Sequence, residues 1–349
     1  MKDFFKNVLA TVLGMFLFSA ICFGFMMMSI IGMIAASDTE TKLKDNSVLT
    51  INLSGVINEK ASTDYLGFLS GDAVENSGLN DILMAIKKAK NNDEIKGIYI
   101  EAGPLGAGFS TLQEIRNALA DFKKSGKWIV AYGDTYSQGS YYVASVANHI
   151  YLNPEGQVDW HGLASQPYYI KDLAAKFGVK YQVEKVGTFK SATETYTETK
   201  MSDANRLQVS LYLNGLWANV CKAVSESRKI SIPTLNTYAD EYQLFATPQS
   251  LIKKRLIDKL LYADQVKGEV KKLLGIDADE SINQVGISAM CNVVEDVNSD
   301  DGIIAIYYAE GEIVQMAPGG MLNNSTNIVS ARRRCLCIRP NLASSDRTT

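Results

Sequence analysis

The chain has 349 residues, 46% of them hydrophobic and 21% charged, which is enough apolar material for one large folded domain or two modest ones. A composition of this kind excludes a disordered protein. The formal net charge of -3 and the pI near 5.6 provide no positive field along the chain for phosphate groups, so we expect no nucleic acid partner.

The first feature in chain order is an apolar segment that has no charged residue between Asn7 and Ser37. It is long enough to span a bilayer with some tilt, so residues 7–36 are predicted to form a transmembrane anchor and residues 1–6 its cytoplasmic end. A cleavable signal peptide has a shorter apolar core, of about 7–15 residues, although the small residues at 35–37 would allow a weak cleavage site.

The charges that flank this segment predict its orientation. Lys2 and Lys6 precede it, whereas the linker that follows mixes acidic and basic residues. Positive charge is enriched on the cytoplasmic side of membrane spans. We therefore expect a single-pass protein whose N-terminus is cytoplasmic and whose body lies outside the cytoplasm, beside the membrane lipid.

A first domain is predicted over residues 47–285, where apolar runs typical of buried strands alternate with segments of helical periodicity. Alternation of this kind implies parallel strand pairing and places the chain in the α/β class. In chain order the predicted elements are a strand at 47–58, a helix at 78–93, a strand at 96–103, a helix at 111–124, a strand at 128–133, a short helix and a strand within 136–154, a helix at 168–177, a strand at 179–187, a long helix capped by Ser202, and helices within 248–274.

A second copy of the first unit is predicted to follow, because Ile303–Ile313 repeats the apolar strand and small-residue turn of Val48–Ile57. We interpret residues 301–330 as the start of a truncated second repeat. Residues 331–349 have no sustained periodicity and hold five of the nine arginines. They are predicted to be an out-of-pattern basic tail, which is either a solvated charged segment or the product of a frameshift.

Cysteine and histidine give no support for metal or cofactor chemistry, and we expect neither group. The two histidines, His149 and His161, are the only ones available to a Ser-His-Asp hydrolase, and local roles at a strand end or a turn are favoured for both. The five cysteines lack the paired spacing of a zinc or redox site and are interpreted as structural or incidental: Cys22, Cys221, Cys291, Cys335 and Cys337.

Four short motifs occur in order between Tyr136 and Asp203: S-Q-G-S-Y-Y at 137–142, N-P-E-G at 153–156, W-H-G at 160–162 and G-T-F-K-S-A at 187–192. Through this ordered set, residues 1–330 resemble the signal peptide peptidase A family, also called protease IV, in its long two-domain type. The resemblance implies a crotonase-like and Clp-protease-like superhelix of ββα units. It also implies a bacterial inner membrane location and assembly into a homo-oligomer.

The resemblance further implies a Ser/Lys dyad in which Lys190, the lysine of G-T-F-K-S-A, is the general base. A lysine accepts a proton from a serine only when its amine is neutral, so burial beneath apolar cover is expected at this position. Ser191 follows directly, and its hydroxyl either holds the ammonium or only begins the next loop. The nucleophilic serine of the family lies in the second domain, and no matching turn is found in this chain.

The loop Gly103–Gly108 occupies, in the first repeat, the place that the nucleophile turn has in the second repeat of the family. Gly106 and Gly108 offer no hydroxyl, so we interpret the loop as a vestigial turn between strand and helix rather than a working oxyanion hole. Ser110 is the nearest native hydroxyl if this domain has a nucleophile of its own.

The function predicted from these features is that of a membrane-anchored serine endopeptidase that degrades remnant signal peptides, with hydrophobic peptides as partners. Because its serine partner is missing, we expect this chain to lack peptidase activity by itself. One alternative is a catalytically inactive, membrane-tethered module that binds peptides or assembles with other copies. Another is a crotonase-type acyl-CoA enzyme, which an extracytoplasmic body disfavours.

Overall fold

The computed structural model of the protein describes residues 2–37, 40–59, 78–294, 312–314 and 327–329. The α-helices are α1 (Lys2–Ser37), α2 (Leu79–Asn91), α3 (Phe109–Lys123), α4 (Gln138–Ala144), α5 (Lys171–Lys176), α6 (Glu194–Thr197), α7 (Asp203–Arg228), α8 (Ile232–Asp240), α9 (Pro248–Lys253), α10 (Ala263–Leu274) and α11 (Ile287–Cys291). The strands are β1 (Ser47–Val56), β2 (Ile95–Gly106), β3 (Trp128–Tyr136), β4 (His149–Val158), β5 (Lys259–Leu260), β6 (Asn283–Val285), β7 (Glu312–Val314) and β8 (Asn327–Val329).

Strands β1 to β6 form one six-stranded sheet in the order β5-β4-β3-β2-β1-β6, and every neighbouring pair is parallel. Helices α2, α3 and α4 connect β1, β2, β3 and β4 in turn, because a parallel pair needs a crossover between its strands. The α/β class with an interleaved parallel sheet is therefore confirmed.

Alternate side chains of the central strands enter two separate cores. Ile129 and Ala131 of β3 belong to the larger core, which α2, α3 and α4 cover, whereas Val130 and Tyr132 belong to a smaller core closed by α10. This division follows from the two-residue period of a strand, and it explains why the central strands are rich in apolar residues on both faces.

A close approach of two backbones requires glycine at position 133, where β3 passes β2. A Cβ added to Gly133 would lie 2.6 Å from the carbonyl oxygen of Ala102, which is too short for any contact. The carboxyl ends of β2 and β3 are thus held together at the edge from which the loops to α3 and α4 leave the sheet.

The strand predicted at 179–187 is wrong. This segment forms no strand in the structure, and its side chains are exposed although they alternate in polarity. A strand requires a neighbouring backbone to accept its hydrogen bonds, and this segment is paired with no strand of the described residues. The helix predicted at 168–177 is present in a shorter form, as α5.

The N-terminal helix α1 contains an apolar stretch, Lys6–Met28, whose length and composition suit a membrane span, and none of it is buried against the rest of the protein. Residues 1–295 group into one unit and residues 296–349 into a second. In the second unit the structure describes β7 and β8, which pair in parallel. Apart from these two strands, the predicted second repeat at 301–330 and the tail at 331–349 lie outside the described residues.

Candidate active site

After β4 the chain leaves the body of the first unit as a long segment, residues 163–202, which contains α5 and α6 and leads into α7. We call this segment the arm. Most of its side chains are exposed, including large apolar ones. Tyr168, Phe177 and Val186 have 80%, 78% and 90% of their surface exposed. Apolar exposure on this scale is unusual for an isolated soluble domain and is typical of a surface that receives a partner.

The base of the arm is fixed by Gln138, the first residue of α4. Its buried side chain accepts hydrogen bonds from the backbone N–H groups of His161 and Gly162, at 3.1 and 2.9 Å, and donates one to the carbonyl of Gly162 at 3.0 Å. The S-Q-G-S-Y-Y turn and the W-H-G turn are thereby joined. Beside them Trp160, fully buried, donates from Nε1 to the carbonyl of Leu235 at 3.0 Å.

The far end of the arm runs into α7, whose second half is attached to the body by Arg116 of α3. Arg116 is 6% exposed and lies with its guanidinium 5.2 Å from the ring centroid of Tyr142. Its Nη2 donates to the carbonyl of Ala223 and to the hydroxyl of Ser227, both in α7, at 2.7 and 2.5 Å. Burial lowers the pKa of this guanidinium from its ordinary value.

Between the arm and α7 lies an open cleft of about 510 Å³. One wall is the lysine loop, which we define as residues 187–190, and the other is the first half of α7. Gly187 has a positive φ of 97°, a conformation that favours glycine, and this residue starts the turn that brings Lys190 to the cleft. The lining residues are Gly187, Thr188, Phe189, Lys190, Leu207, Gln208 and Leu211.

The Lys190 side chain is exposed in the single chain, so the described residues do not supply the apolar cover expected from the sequence. Its apolar neighbours in the cleft, Phe189, Leu207 and Leu211, are themselves more than half exposed. Among the described residues, Lys190 has no ion pair. Lys190 therefore lines a cleft that is open to solvent, beside three apolar side chains.

Ser191 begins the turn that leads from the lysine loop into α6, since its carbonyl accepts the backbone N–H of Glu194 at 3.0 Å. Glu194 is 2% exposed and accepts three hydrogen bonds, two from Ser202 and one from Asn205. The hydroxyl of Ser202 and the other donors lower the pKa of the Glu194 carboxyl from its ordinary value. The carboxylate of Glu194 thus links the segment that follows the lysine loop to the start of α7 by hydrogen bonds.

The other candidates from the sequence lie away from this cleft. Gly106 ends β2 and Gly108 precedes the first residue of α3, while Ser110 lies in the first turn of that helix. None of them lines the cleft that contains Lys190. The cleft that contains Lys190 therefore does not include the Gly103–Gly108 loop.

Both histidines have local partners. The His161 ring nitrogen Nδ1 lies 2.6 Å from Asp159 Oδ1, and the His149 ring stacks on Tyr151 with centroids 5.9 Å apart. Within the described ranges, no group of three side chains is arranged to hold a metal ion. The polar side chains that line the cleft are the amine of Lys190, the hydroxyl of Thr188 and the amide of Gln208, beside the apolar side chains of Phe189, Leu207 and Leu211.

Three positioning side chains were not found from the sequence. Arg116 stands four residues after Leu112 and three before Leu119, on the buried stripe of α3, and that spacing was an available signal. Gln138 belongs to the S-Q-G-S-Y-Y motif, but its hydrogen-bond partners, His161 and Gly162, lie more than twenty residues later in the sequence. Glu194 precedes the Ser202 cap by eight residues, outside the spacing of any known helix-capping pattern.

Residues 121–277 match peptidase family S49, a range that contains the lysine loop and all of α7. The chain is 35% identical to "Protease 4" of Salmonella typhi over 295 residues, which cover 80% of this chain and 48% of that protein. It is 32% identical to "Protease 4" of Haemophilus influenzae over 285 residues, covering 75% of this chain and 46% of that protein. The chain thus spans about half the length of these curated relatives.

Among solved structures, a mutant of the 1510-N membrane-bound stomatin-specific protease overlaps with 70% of this chain and 98% of its own, at 12% identity and a TM-score of 0.39. A likeness of this degree carries no conclusion about function.

Proposed function

Since this chain belongs to peptidase family S49, we propose that it is a membrane-anchored module of a serine endopeptidase in which Lys190 is the general base. The observation that carries the proposal is the placement of this lysine on one wall of a cleft whose other wall presents the apolar side chains of Leu207 and Leu211. A peptide that binds along the cleft would bring its scissile bond to the amine and cover that amine with its own apolar side chains.

The proposed reaction needs the lysine only as a proton carrier. Neutral Lys190 takes the proton of a serine hydroxyl while the serine oxygen bonds to the scissile carbonyl carbon. The carbon–nitrogen bond then breaks, and the Lys190 ammonium returns the proton to the leaving amine. Water next attacks the acyl-serine ester with the same amine as base, the bond between the carbonyl carbon and the serine oxygen breaks, and the Lys190 ammonium returns the proton to the serine oxygen. Because burial lowers the pKa of an amine, the apolar walls become effective once a ligand excludes water.

The serine is not among the residues that line the cleft, so we propose that polypeptide other than these walls delivers it to the open side. The chain by itself is then expected to show no peptidase turnover. A fluorophosphonate, which phosphonylates an activated serine with loss of fluoride, should leave the described serines unmarked. Labelling of Ser110 or Ser191 that disappears in Lys190→Ala would contradict this part of the proposal.

We predict that an apolar peptide aldehyde marks Lys190 selectively. The neutral amine adds to the aldehyde carbon, water leaves, and borohydride reduces the imine to a stable secondary amine. In the full chain in detergent micelles, peptide mass spectrometry should find Lys190 modified at least about tenfold faster than Lys180, because one well-placed apolar contact gives discrimination of this size. Lys180 is the matched control, since it is an exposed lysine of the same arm.

Two further comparisons test this selectivity. The Lys190→Ala variant should lose the selective product, whereas Lys180→Ala should retain it. A polar peptide aldehyde of equal length should modify both lysines at similar rates. Equal modification of Lys180 and Lys190 by the apolar peptide would overturn the proposed role of the cleft.

A second function, as a peptide-binding or assembly module without catalysis, is favoured by the apolar exposure of the arm at Tyr168, Phe177 and Val186. Assembly with further copies would cover these side chains. This function and the first are distinguished by the aldehyde experiment, since a scaffold would bind the peptide without directing it to Lys190. Sedimentation of the full chain in detergent, compared with Tyr168→Ser and Phe177→Ser variants, reports whether copies associate through the arm.

The anchor and its orientation complete the proposal. The apolar helix α1 would hold the body at the outer face of a bacterial inner membrane, with Lys2 and Lys6 in the cytoplasm. We predict that a Lys200→Cys variant reacts with a membrane-impermeant maleimide in cells whose outer membrane alone is opened. The chain without the substitution measures the background from its native cysteines. Reaction at position 200 only after lysis of the inner membrane would reverse the assigned orientation.

A further inference from the structure

The geometry of the arm points to a second residue that acts on the cleft. Building on the function proposed for Lys190, we propose that Glu194 is a positioning residue that clamps the lysine loop to the first turn of α7 and thereby sets the width of the cleft. Glu194 lines no part of the cleft itself. It acts through the two walls that it joins.

The clamp consists of three hydrogen bonds to one buried carboxylate. Oε1 of Glu194 accepts the hydroxyl of Ser202 at 2.6 Å, and Oε2 accepts the backbone N–H of Ser202 at 3.2 Å and the side-chain amide of Asn205 at 2.9 Å. Ser202 is the N-cap of α7, and its hydroxyl oxygen also accepts the backbone N–H of Asn205 at 3.2 Å. The carboxylate therefore holds the helix by its capping residue and its first turn.

The two walls of the cleft have little else to fix their separation. The buried side chains of α7 are Val220, Cys221 and Val224, all in its second half, so its first turns bury no side chain of their own against the body. Glu194 lies four positions after Lys190, and Ser202 lies five positions before Leu207. The hydrogen bonds between Glu194 and Ser202 therefore limit the distance between Lys190 and the apolar side chains of α7 in the opposite wall of the cleft.

The charge of Glu194 is satisfied without the lysine. Negative charge at the N-terminus of a long helix is stabilised by the helix dipole, and hydrogen bonds to an ionised group are stronger than neutral ones. No hydrogen bond or ion pair joins Glu194 to Lys190 among the described residues. The carboxylate can thus hold the loop in place without fixing the amine in its protonated form.

The test uses the ratio of two trapping rates at Lys190 in the full chain, one for an apolar peptide aldehyde and one for acetaldehyde, each followed by borohydride. The small aldehyde reports the amine alone, and the peptide reports the amine together with the walls. In Glu194→Gln the side chain keeps its shape, but one acceptor becomes a donor that faces the donors of Ser202 and Asn205. We expect the ratio to fall about tenfold, the effect of one lost charged hydrogen bond.

The matched control is Glu198→Gln, which makes the same charge change at an exposed position of the same segment and should leave the ratio within about twofold. Asn205→Ala removes one donor but keeps the carboxylate, so it should lower the ratio by less than Glu194→Gln. This milder variant keeps the test informative if Glu194→Gln disturbs folding. The pH midpoint of acetaldehyde trapping should be the same in the wild type and in both glutamate variants.

The outcomes separate the two proposals. If the wild type itself shows no preference of the apolar peptide for Lys190, the proposed function fails. If the wild type shows the preference and Glu194→Gln keeps it, the clamp fails while the function stands. A parallel fall of both rates in Glu194→Gln, with a shifted pH midpoint and an unchanged ratio, would also overturn the clamp, because Glu194 would then act through its charge on the amine.

Discussion

Replacement of Trp160 by alanine should lower the free energy of unfolding by roughly 3–5 kcal/mol, which is the usual cost of removing a large aromatic side chain from a core. Trp160 is fully buried. Its ring packs against Tyr141 with centroids 5.7 Å apart and against Trp217 of α7 with centroids 4.9 Å apart. The substitution would leave a cavity between the body and α7 and would also remove the donor to the carbonyl of Leu235.

Urea unfolding of the full chain in detergent, followed by far-ultraviolet circular dichroism, measures this loss. The Trp160→Phe variant retains an aromatic ring and loses the N–H, so it should cost about 1–2 kcal/mol for the unpaired carbonyl and the smaller ring. Tyr168→Ala, on the exposed arm, should stay within about 0.5 kcal/mol of the wild type. A Trp160→Ala protein whose stability equals that of Tyr168→Ala would contradict the assigned packing.

The same substitution tests how the cleft depends on the body. Trp160 contacts α7 through Trp217, ten residues beyond the first cleft residue of that helix, Leu207. A rigid helix transmits a change of position at one end to the other, so the apolar wall should move relative to Lys190. The body anchors one end of α7 and Glu194 anchors the other, and both are needed for a fixed wall.

The sheet and most of its helices could be predicted from the sequence because their signals are local. Apolar runs such as Trp128–Tyr136 and the helical spacing of Leu79–Asn91 specify strand and helix within a few residues. Ser202 was predicted as a cap, and the structure places it as the N-cap of α7. The polarity pattern at 179–187 failed as a strand because pairing depends on a distant backbone, which a local pattern does not report.

The candidate site could be predicted only in part, for the same reason. The motif at 187–192 identified Lys190 through a family resemblance, and this lysine does line the cleft. The opposite wall, at Leu207 and Leu211, depends on the path of the arm, which no spacing in the sequence reports. The buried pairing of Glu194 with the start of α7 is likewise a consequence of the chain reversing direction between them.

Replacement of Arg116 by methionine should lower the free energy of unfolding by about 3 kcal/mol, since it removes four hydrogen bonds that a buried charged group donates to acceptors in or beside α4 and α7. Nη1 of Arg116 donates to the carbonyl of Tyr142 and to the hydroxyl of Ser145, both at 2.9 Å, and Nη2 donates to Ala223 and Ser227 of α7. The sign of this change in the free energy of unfolding depends on two opposing effects.

Removing a buried charge relieves its desolvation, which alone would favour methionine, a side chain of similar length. The carbonyl of Ala223 and the hydroxyl oxygen of Ser227, however, would each lose the hydrogen bond that they accept from Nη2 of Arg116. Because a hydrogen bond that involves a charged group contributes about 1.5–3 kcal/mol, the four lost bonds outweigh the relief. Arg116→Lys keeps the charge but lacks the two-pronged geometry, so it should recover only part of the stability.

The matched control is Arg206→Met, which removes an exposed arginine from the first half of α7 and should change the stability by less than about 0.5 kcal/mol. The same proteins should be compared in the trapping assay. Loss of the Arg116 hydrogen bonds to Ala223 and Ser227 weakens the attachment of the second half of α7, so the preference of the apolar peptide for Lys190 should fall together with stability. Glu194→Gln, in contrast, is expected to lower the preference while lowering the free energy of unfolding by less than Arg116→Met, because the first turns of α7 bury no side chain. An Arg116→Met protein with the stability of Arg206→Met would show that the buried guanidinium does not hold α7 to the body.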